Sequence, residues 1–335
     1  MGSSAMTIDG MNSELRSRVQ RALDGVFGVA KPRGLGWDIG AVATGINGGI
    51  TVTLDQEGWL RMVASVEPPA VGAWTLLRWN SYLEAGAKFT IEPEEGSVEL
   101  IAEIPVAVCG SAEAWLGAAA AGLARGQRLQ RGEEIDPTRG ESSAGDAAGG
   151  ADDSRPAGLD LALLCREAGW DCEKRDPHRV RVELDLDAGS YQVELRDDRC
   201  GAVLASVALV EDSCGGPGGS CRQALAQFLL RSAACIYVVR PTVCASGEGW
   251  RASYELRFPC TPTSAEIGEA LSALWVAASL GGVEAVRLST DEGLARDYLT
   301  MAGQSGRSAD LLGEDESDDD VDEATISQHE AVGLP

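Results

Sequence analysis

The residue types that carry most enzymatic chemistry are scarce in this 335-residue chain, which has only two histidines. His178 follows Pro177 at the entrance of an expected strand, a place for a solvated turn residue rather than a general base. His329 lies in a polar C-terminal stretch. A Ser-His-Asp triad would have to use His178, and no Gly-x-Ser-x-Gly elbow exists to present the serine. The glycine-rich run from Cys214 to Cys221 has the freedom to wrap a phosphate but lacks the lysine that follows a P-loop, so it reads as a connection. Cys165 and Cys172 are separated by six residues, as are Cys214 and Cys221, wider than the spacing of structural zinc sites. Nine cysteines, an odd number, fit a reducing compartment and small buried hydrophobes. Glu99 and Glu103 form the nearest carboxylate pair, on the outward side of an expected strand, where solubility explains them. The chain therefore reads as a non-enzyme with no catalytic residue, no metal and no cofactor.

What remains is apolar surface where alternation calls for polar residues. Val63 and Ile101 point away from the expected core side of their strands, with Trp59 and Trp79 near in sequence. Two such residues on one sheet face form a candidate docking patch, either for a peptide or for another part of the same chain.

Composition narrows the partners. The formal charge of -24 disfavours nucleic acid, whose phosphates are bound by neutralising them, and disfavours anionic membrane surfaces. No apolar run approaches the ~20 residues of a bilayer span, and the N-terminus lacks the pattern of a secretory signal, so a cytoplasmic location is expected. Eight acidic residues fall between Glu314 and Glu323, as in a solvated tail.

The elements repeat. Ser111-Ala-Glu-Ala returns as Ser264-Ala-Glu-Ile, Leu76-Leu77-Arg78 as Leu229-Leu230-Arg231, and Glu95-Gly96 as Glu248-Gly249, all at one spacing. Gly36-Trp37-Asp38 and Ala64-Ser65-Val66 return as Gly169-Trp170-Asp171 and Ala205-Ser206-Val207 at smaller spacings. Their preserved order points to tandem duplication. In the first copy a helix capped by Asn12 runs to about Phe27, and a hairpin turns at Asn47-Gly48-Gly49. Ile50, Val52 and Leu54, then Leu60, Met62 and Ala64, face one way. A helix from Trp74 and strands over 88–91 and 97–104 lead to the closing helix with Trp115, Leu116, Ala119 and Leu123. The second copy has a helix over 159–168, strands carrying Val180 to Leu186, Tyr191 to Leu195 and Ala202 to Val210, and a helix through Leu225 and Leu229. Strands over 235–239 and 252–258 follow, and Thr263 with Glu266 makes a capping box. The closing stripe there is Ile267, Ala270, Leu271, Leu274, Trp275 and Ala278. A short strand at Val283 and a helix after Thr290 complete it.

The expected fold is α+β: two tandem α-βββ-α-ββ-α units, each an antiparallel sheet packed with helices around its own interior. The expected limits are a disordered N-terminus at 1–11, domains at 12–126 and 157–302, a flexible linker at 127–156, and an acidic disordered tail at 303–335.

The stretch 76–106, LLRWNSYLEAGAKFTIEPEEGSVELIAEIPV, and the helix at Ser111 have the order helix, short strand, acidic glycine turn, amphipathic strand, closing helix. This resembles the type III secretion chaperone-like fold, which includes the class I secretion chaperones, the Tir chaperone family among them, and the YbjN family. The resemblance implies a small, acidic, non-enzymatic protein that dimerises and holds an extended client segment. Because the chain carries two units, it implies intramolecular pairing into a pseudo-dimer. The alternative is a structural or regulatory YbjN-like protein with no client.

Overall fold

The computed structural model describes residues 8–55, 57–67, 71–133, 159–186, 189–197, 202–212, 219–246 and 249–305. The acidic run, His329, Cys200, Cys214 and most of the expected linker lie outside the described residues.

Unit one runs α1 (Ile8–Phe27), β1 (Lys31–Arg33), β2 (Gly36–Ile39), α2 (Ala41–Thr44), β3 (Ile50–Leu54), β4 (Leu60–Ala64), α3 (Ala73–Asn80), β5 (Ala87–Ile91), β6 (Val98–Ile104) and α4 (Ala112–Gln130). Unit two runs α5 (Leu161–Glu167), β7 (Glu173–Asp176), β8 (Arg179–Leu186), β9 (Gly189–Asp197), β10 (Val203–Asp212), α6 (Gly219–Ala234), β11 (Arg240–Ser246), β12 (Gly249–Phe258), α7 (Ser264–Thr290) and α8 (Glu292–Ser305). Each unit contributes one antiparallel six-stranded sheet, ordered β1-β2-β3-β4-β6-β5 and β7-β8-β9-β10-β12-β11. The orders are the same. Four strands meander, a helix crosses, and the returning hairpin inserts its second strand beside the meander, leaving β5 and β11 on the sheet edges.

Period-two alternation decides which face each strand buries. Ile50, Val52, Leu60, Met62, Leu100, Ala102 and Ile104 are buried on the helix side of sheet one, and Val180, Val182, Val193, Leu195, Ala252, Tyr254 and Phe258 on that of sheet two. The two interiors are not separate as expected. Buried apolar residues of both units belong to one continuous cluster, joined through aromatic side chains at the junction.

Several elements differ from the sequence expectation, each for a physical reason. Each meander has four strands rather than three, because β1 (KPR) and β7 (EKRD) are short, wholly exposed and leave no apolar alternation to read. The Asn47-Gly48-Gly49 turn does not join a tight hairpin; β2 and β3 pair from Ile39 to Ile50 across a loop holding the single turn α2. Helix α1 begins at Ile8, so position 12 lies inside it and not at its N-cap as expected. Residues 283–289 continue α7, where Ala285 and Leu288 are buried, so packing overrides the strand preference of Val283 and Val286. The Gly-Trp-Asp match is not an equivalence: Trp37 lies in β2, whereas Trp170 precedes β7. The true counterparts are Gly28 and Gly169, which end the first helix of each unit at φ 82 and φ 84. Helix α4 extends past 126 because Gln127 is buried and accepts from the Asn47 N–H at 2.8 Å while donating to the Asn47 and Ser65 carbonyls.

Among the described residues α7 is the one helix long and apolar enough to cross a membrane. It packs instead on sheet two, where glycines at 281 and 282 let the rings of Tyr254 and Tyr191 approach its backbone.

Candidate functional site

The two units meet where each sheet ends. The edge strands β5 and β11 lie at this junction; α3 packs on β11, α6 packs on β5, and α3 and α6 touch each other. This reciprocity is that of a two-fold dimer made within one chain. It also covers one edge of each sheet, β5 and β11, which would otherwise template pairing with other chains.

A buried cation from each unit reaches into the other. Lys88, on β5, is fully buried, and its ammonium donates to the carbonyls of Ala233 at 2.7 Å, in the last turn of α6, and of Ile236 at 2.6 Å and Val239 at 3.1 Å, in the turn after it. Its counter-ion is Glu103 of β6, 2.8 Å away and equally buried. Glu103 in turn accepts the backbone N–H of Val238 at 2.8 Å. Burial pulls the Lys88 ammonium below its usual value, opposed by the Glu103 charge. In unit two Arg240 of β11 donates to the Leu83 carbonyl, in the turn after α3, and lies 3.5 Å from Glu255 of β12. Burial lowers the Arg240 guanidinium to about 10, with Arg257 adding a like-charge contribution.

The two turns match in backbone as well. Ala85 and Val238 are the two non-glycine residues with positive φ among the described residues, at 29° and 51°, and each precedes its junction strand. That conformation is costly for a β-branched residue and persists only where surroundings fix it. Here it is fixed by the Lys88 ammonium and the Glu103 carboxylate. This explains why 235–239 is not the strand its apolar composition suggests: its carbonyls bond to an ammonium rather than to a neighbouring strand.

Further contacts complete the junction. Buried Asn80 imitates a strand partner for Phe89, accepting from its N–H at 2.7 Å and donating to its carbonyl at 3.2 Å, and bridges to the Pro241 carbonyl at 3.0 Å. Trp59 stacks on Tyr237 at 5.0 Å, Trp74 meets Trp250 edge-on at 5.3 Å, and Trp115 meets Phe258 at 6.1 Å. The Trp115 indole donates to Glu266 at 2.8 Å. That carboxylate is also half of the capping box with Thr263, which forms as the spacing predicts.

Val63 and Ile101 are brought together: they are register partners on β4 and β6. Val63 is half-buried. Ile101 is 0% exposed, and the next register position across it, on β5, is Lys88. The pair therefore sits on the outer face of sheet one at the junction, and Ile101 offers no free surface to a peptide. Glu99 and Glu103 do lie on that outer face, but only Glu99 is solvated, paired with Arg61 at 2.7 Å. Glu103 is buried, contrary to the solubilising role expected of it, because unit two covers its end of the strand.

The matching face of sheet two is open. Its outward residues line a shallow dish of about 480 Å³ that includes Arg181, Arg196, Arg251 and Arg257, Glu194, Glu211 and Glu255, with Ser81 of unit one at the rim. Arg179 and Arg196 are register partners, and Arg257 lies across Leu204 from Arg196. Like charges so placed raise the energy of a sheet. Among the described residues no carboxylate forms an ion pair with Arg181, Arg196, Arg251 or Arg257.

His178 stands half-exposed before β8, its Nδ1 3.3 Å from Asp197 Oδ2, and with the Asp197 N–H to His178 carbonyl bond this clips the turn to the end of β9. Seven cysteines are described, all as free thiols. Burial raises Cys109 to about 11 and Cys165 to about 12. Among the described residues no three histidine, cysteine or acidic side chains converge as metal ligands would. The cation pairs and the dish were hidden from sequence reasoning; the one available signal was the shared spacing of Glu103 and Glu255 ahead of the two closing helices. No family model, no curated protein and no solved structure matches the chain.

Proposed function

We propose that the chain is a non-enzymatic protein- or peptide-binding module of the secretion-chaperone kind, a pseudo-dimer whose open dish on sheet two receives an extended acidic segment of a client. The observation that carries this reading is the pair Arg196 and Arg257, set on either side of Leu204 in that dish and joined to no carboxylate among the described residues, in a chain of net charge -24. An extended peptide suits a sheet face because its side chains alternate with the pleat, and carboxylates on it would take the forked guanidinium donors. The free thiols fit a cytoplasmic setting. Neither nucleotide nor turnover enters the binding.

The test is fluorescence anisotropy on an array of extended peptides of graded acidity. Acidic peptides are expected to bind without ATP, to weaken with salt, and to be lost in the Arg196→Glu, Arg257→Glu double variant. Equal binding of neutral and acidic peptides, or none by either, sinks the reading. A second reading, a structural or regulatory YbjN-like protein with no client, is favoured by the complete burial of Ile101, since the outer face of sheet one is then used up internally. It expects no peptide to bind.

A further inference from the structure

Among the described residues, helix α7 carries five of the eleven exposed large apolar side chains. Trp275, Val276, Leu280, Val283 and Val286 are 40% to 66% exposed. Val276, Leu280 and Val283 follow one another at helical spacing, flanked by the other two, so they form a stripe rather than scattered residues. The opposite side of α7, with Ile267, Leu271, Leu274 and Ala278, already packs on sheet two. Helix α8 covers a different side, where Leu288 and Ala295 pack with Cys221 and Ala224 of α6.

Unit one shows what covers this helix when the fold is complete. Counting from the N-caps Ser111 and Thr263, Trp275 is the counterpart of Leu123, which is fully buried in α4. Along α4 lies α1, 20 residues long, which supplies Leu15, Val19, Leu23 and Phe27 to the core. In unit two the same place holds α5, started by the Asp160 N-cap and only seven residues long. The missing cover is therefore an amphipathic helix.

We propose that this cover is α7 of a second copy of the chain, packed antiparallel at a shallow angle, with the two-fold axis crossing the exposed stripe at the level of residue 278. The charges support this partner. Glu269 and Arg287 are both exposed and lie equally far from Ala278 on opposite sides of it. An antiparallel pair centred there sets Val276 against Leu280 of the other chain and Glu269 against Arg287, each contact made twice, as an isologous interface requires. The present partner of Arg287 is Glu284 of its own helix at 3.1 Å, a surface pair of little worth that leaves the guanidinium free to be shared. Ser279, beside the axis, is small enough for close approach.

Sedimentation equilibrium on the full chain tests the proposal. A monomer-dimer equilibrium is expected. Leu280→Glu, at an exposed position that leaves the fold intact by circular dichroism, is expected to weaken it by about a hundredfold, the effect of placing a charge at an interface centre. Glu269→Arg and Arg287→Glu are each expected to weaken it by about tenfold, and the two together to restore it. A chain monomeric at about 100 μM, the concentration at which a weak specific dimer is already populated, overturns the proposal. So does a dimer indifferent to Leu280→Glu, or a monomer whose α7 amides gain protection only from an added vesicle or an unrelated amphipathic peptide. Failure of the charge swap to restore association overturns the antiparallel register.

Discussion

The two closing helices each begin at a hydroxyl N-cap, Ser111 and Thr263, and end in different surroundings. Helix α4 is covered by α1, and Leu116 and Leu123 are fully buried. Helix α7 has only the short α5 beside it, and Trp275, Leu280 and Val283 face water. The two junction cations differ in the same direction. Lys88 has three carbonyls and a carboxylate within 3.1 Å, whereas Arg240 has one carbonyl and a carboxylate at 3.5 Å that is itself 13% exposed. Unit one is the more completely satisfied half. Unit two keeps open what unit one closes, on its helix and on its sheet.

The largest expected effect comes from Lys88. Lys88→Met leaves Glu103 buried without a counter-ion and is expected to cost about 3–5 kcal/mol in urea denaturation. Arg240→Met is expected to cost about half of that, since Glu255 is partly solvated; equal losses would erase the difference between the cations. Next, Leu123→Ala is expected to cost about 2–5 kcal/mol, but Trp275→Ala about 1 kcal/mol or less when measured on dilute monomer. A large loss at Trp275 would mean that its helix is covered within the monomer. Thr263→Ala removes a capping box whose glutamate also holds Trp115 and is expected to cost about 1–2 kcal/mol, against about 1 kcal/mol for Ser111→Ala, a simple cap. The smallest effect is one of pH. Because the folded chain holds the Lys88 proton less tightly than the unfolded chain, the unfolded state binds more protons between the lowered value and the usual 10.5. The stability of the parent relative to Lys88→Met is thus expected to be flat near neutrality and to rise as pH climbs toward 10.5. A fall over that window would show the ammonium to be better held when folded.

The fold was legible where one face of an element meets a core. The alternation of Ile50 to Leu54 and of Ala252 to Phe258, and the capping box at Thr263, need only local pattern and appear where the pattern puts them. What escaped was set by contacts distant in sequence. Nothing local distinguishes Glu103, buried under unit two, from Glu99, which stays in solvent four residues earlier. The run Cys235-Ile-Tyr-Val-Val239 looks like a strand until Lys88, far upstream, takes its carbonyls. Trp275 belongs to an apolar stripe by spacing, yet the helix that would bury it stops at seven residues. The open dish was likewise invisible, since outward arginines on strands look like ordinary solvated charges until their neighbours across the sheet are known.

The reciprocal lock has an order of assembly written into it. During synthesis unit one leaves the ribosome with Lys88 and the edge of β5 bare, and the turn that satisfies them follows on the order of ten seconds later at ordinary elongation rates. For that interval a nascent first half is open to the second half of a neighbouring chain on the same message, against which its own second half competes through the higher effective concentration that linkage gives it. The tether is then what decides between self-completion and exchange, and shortening or stiffening it would change the yield of correctly closed molecules before it changed their stability.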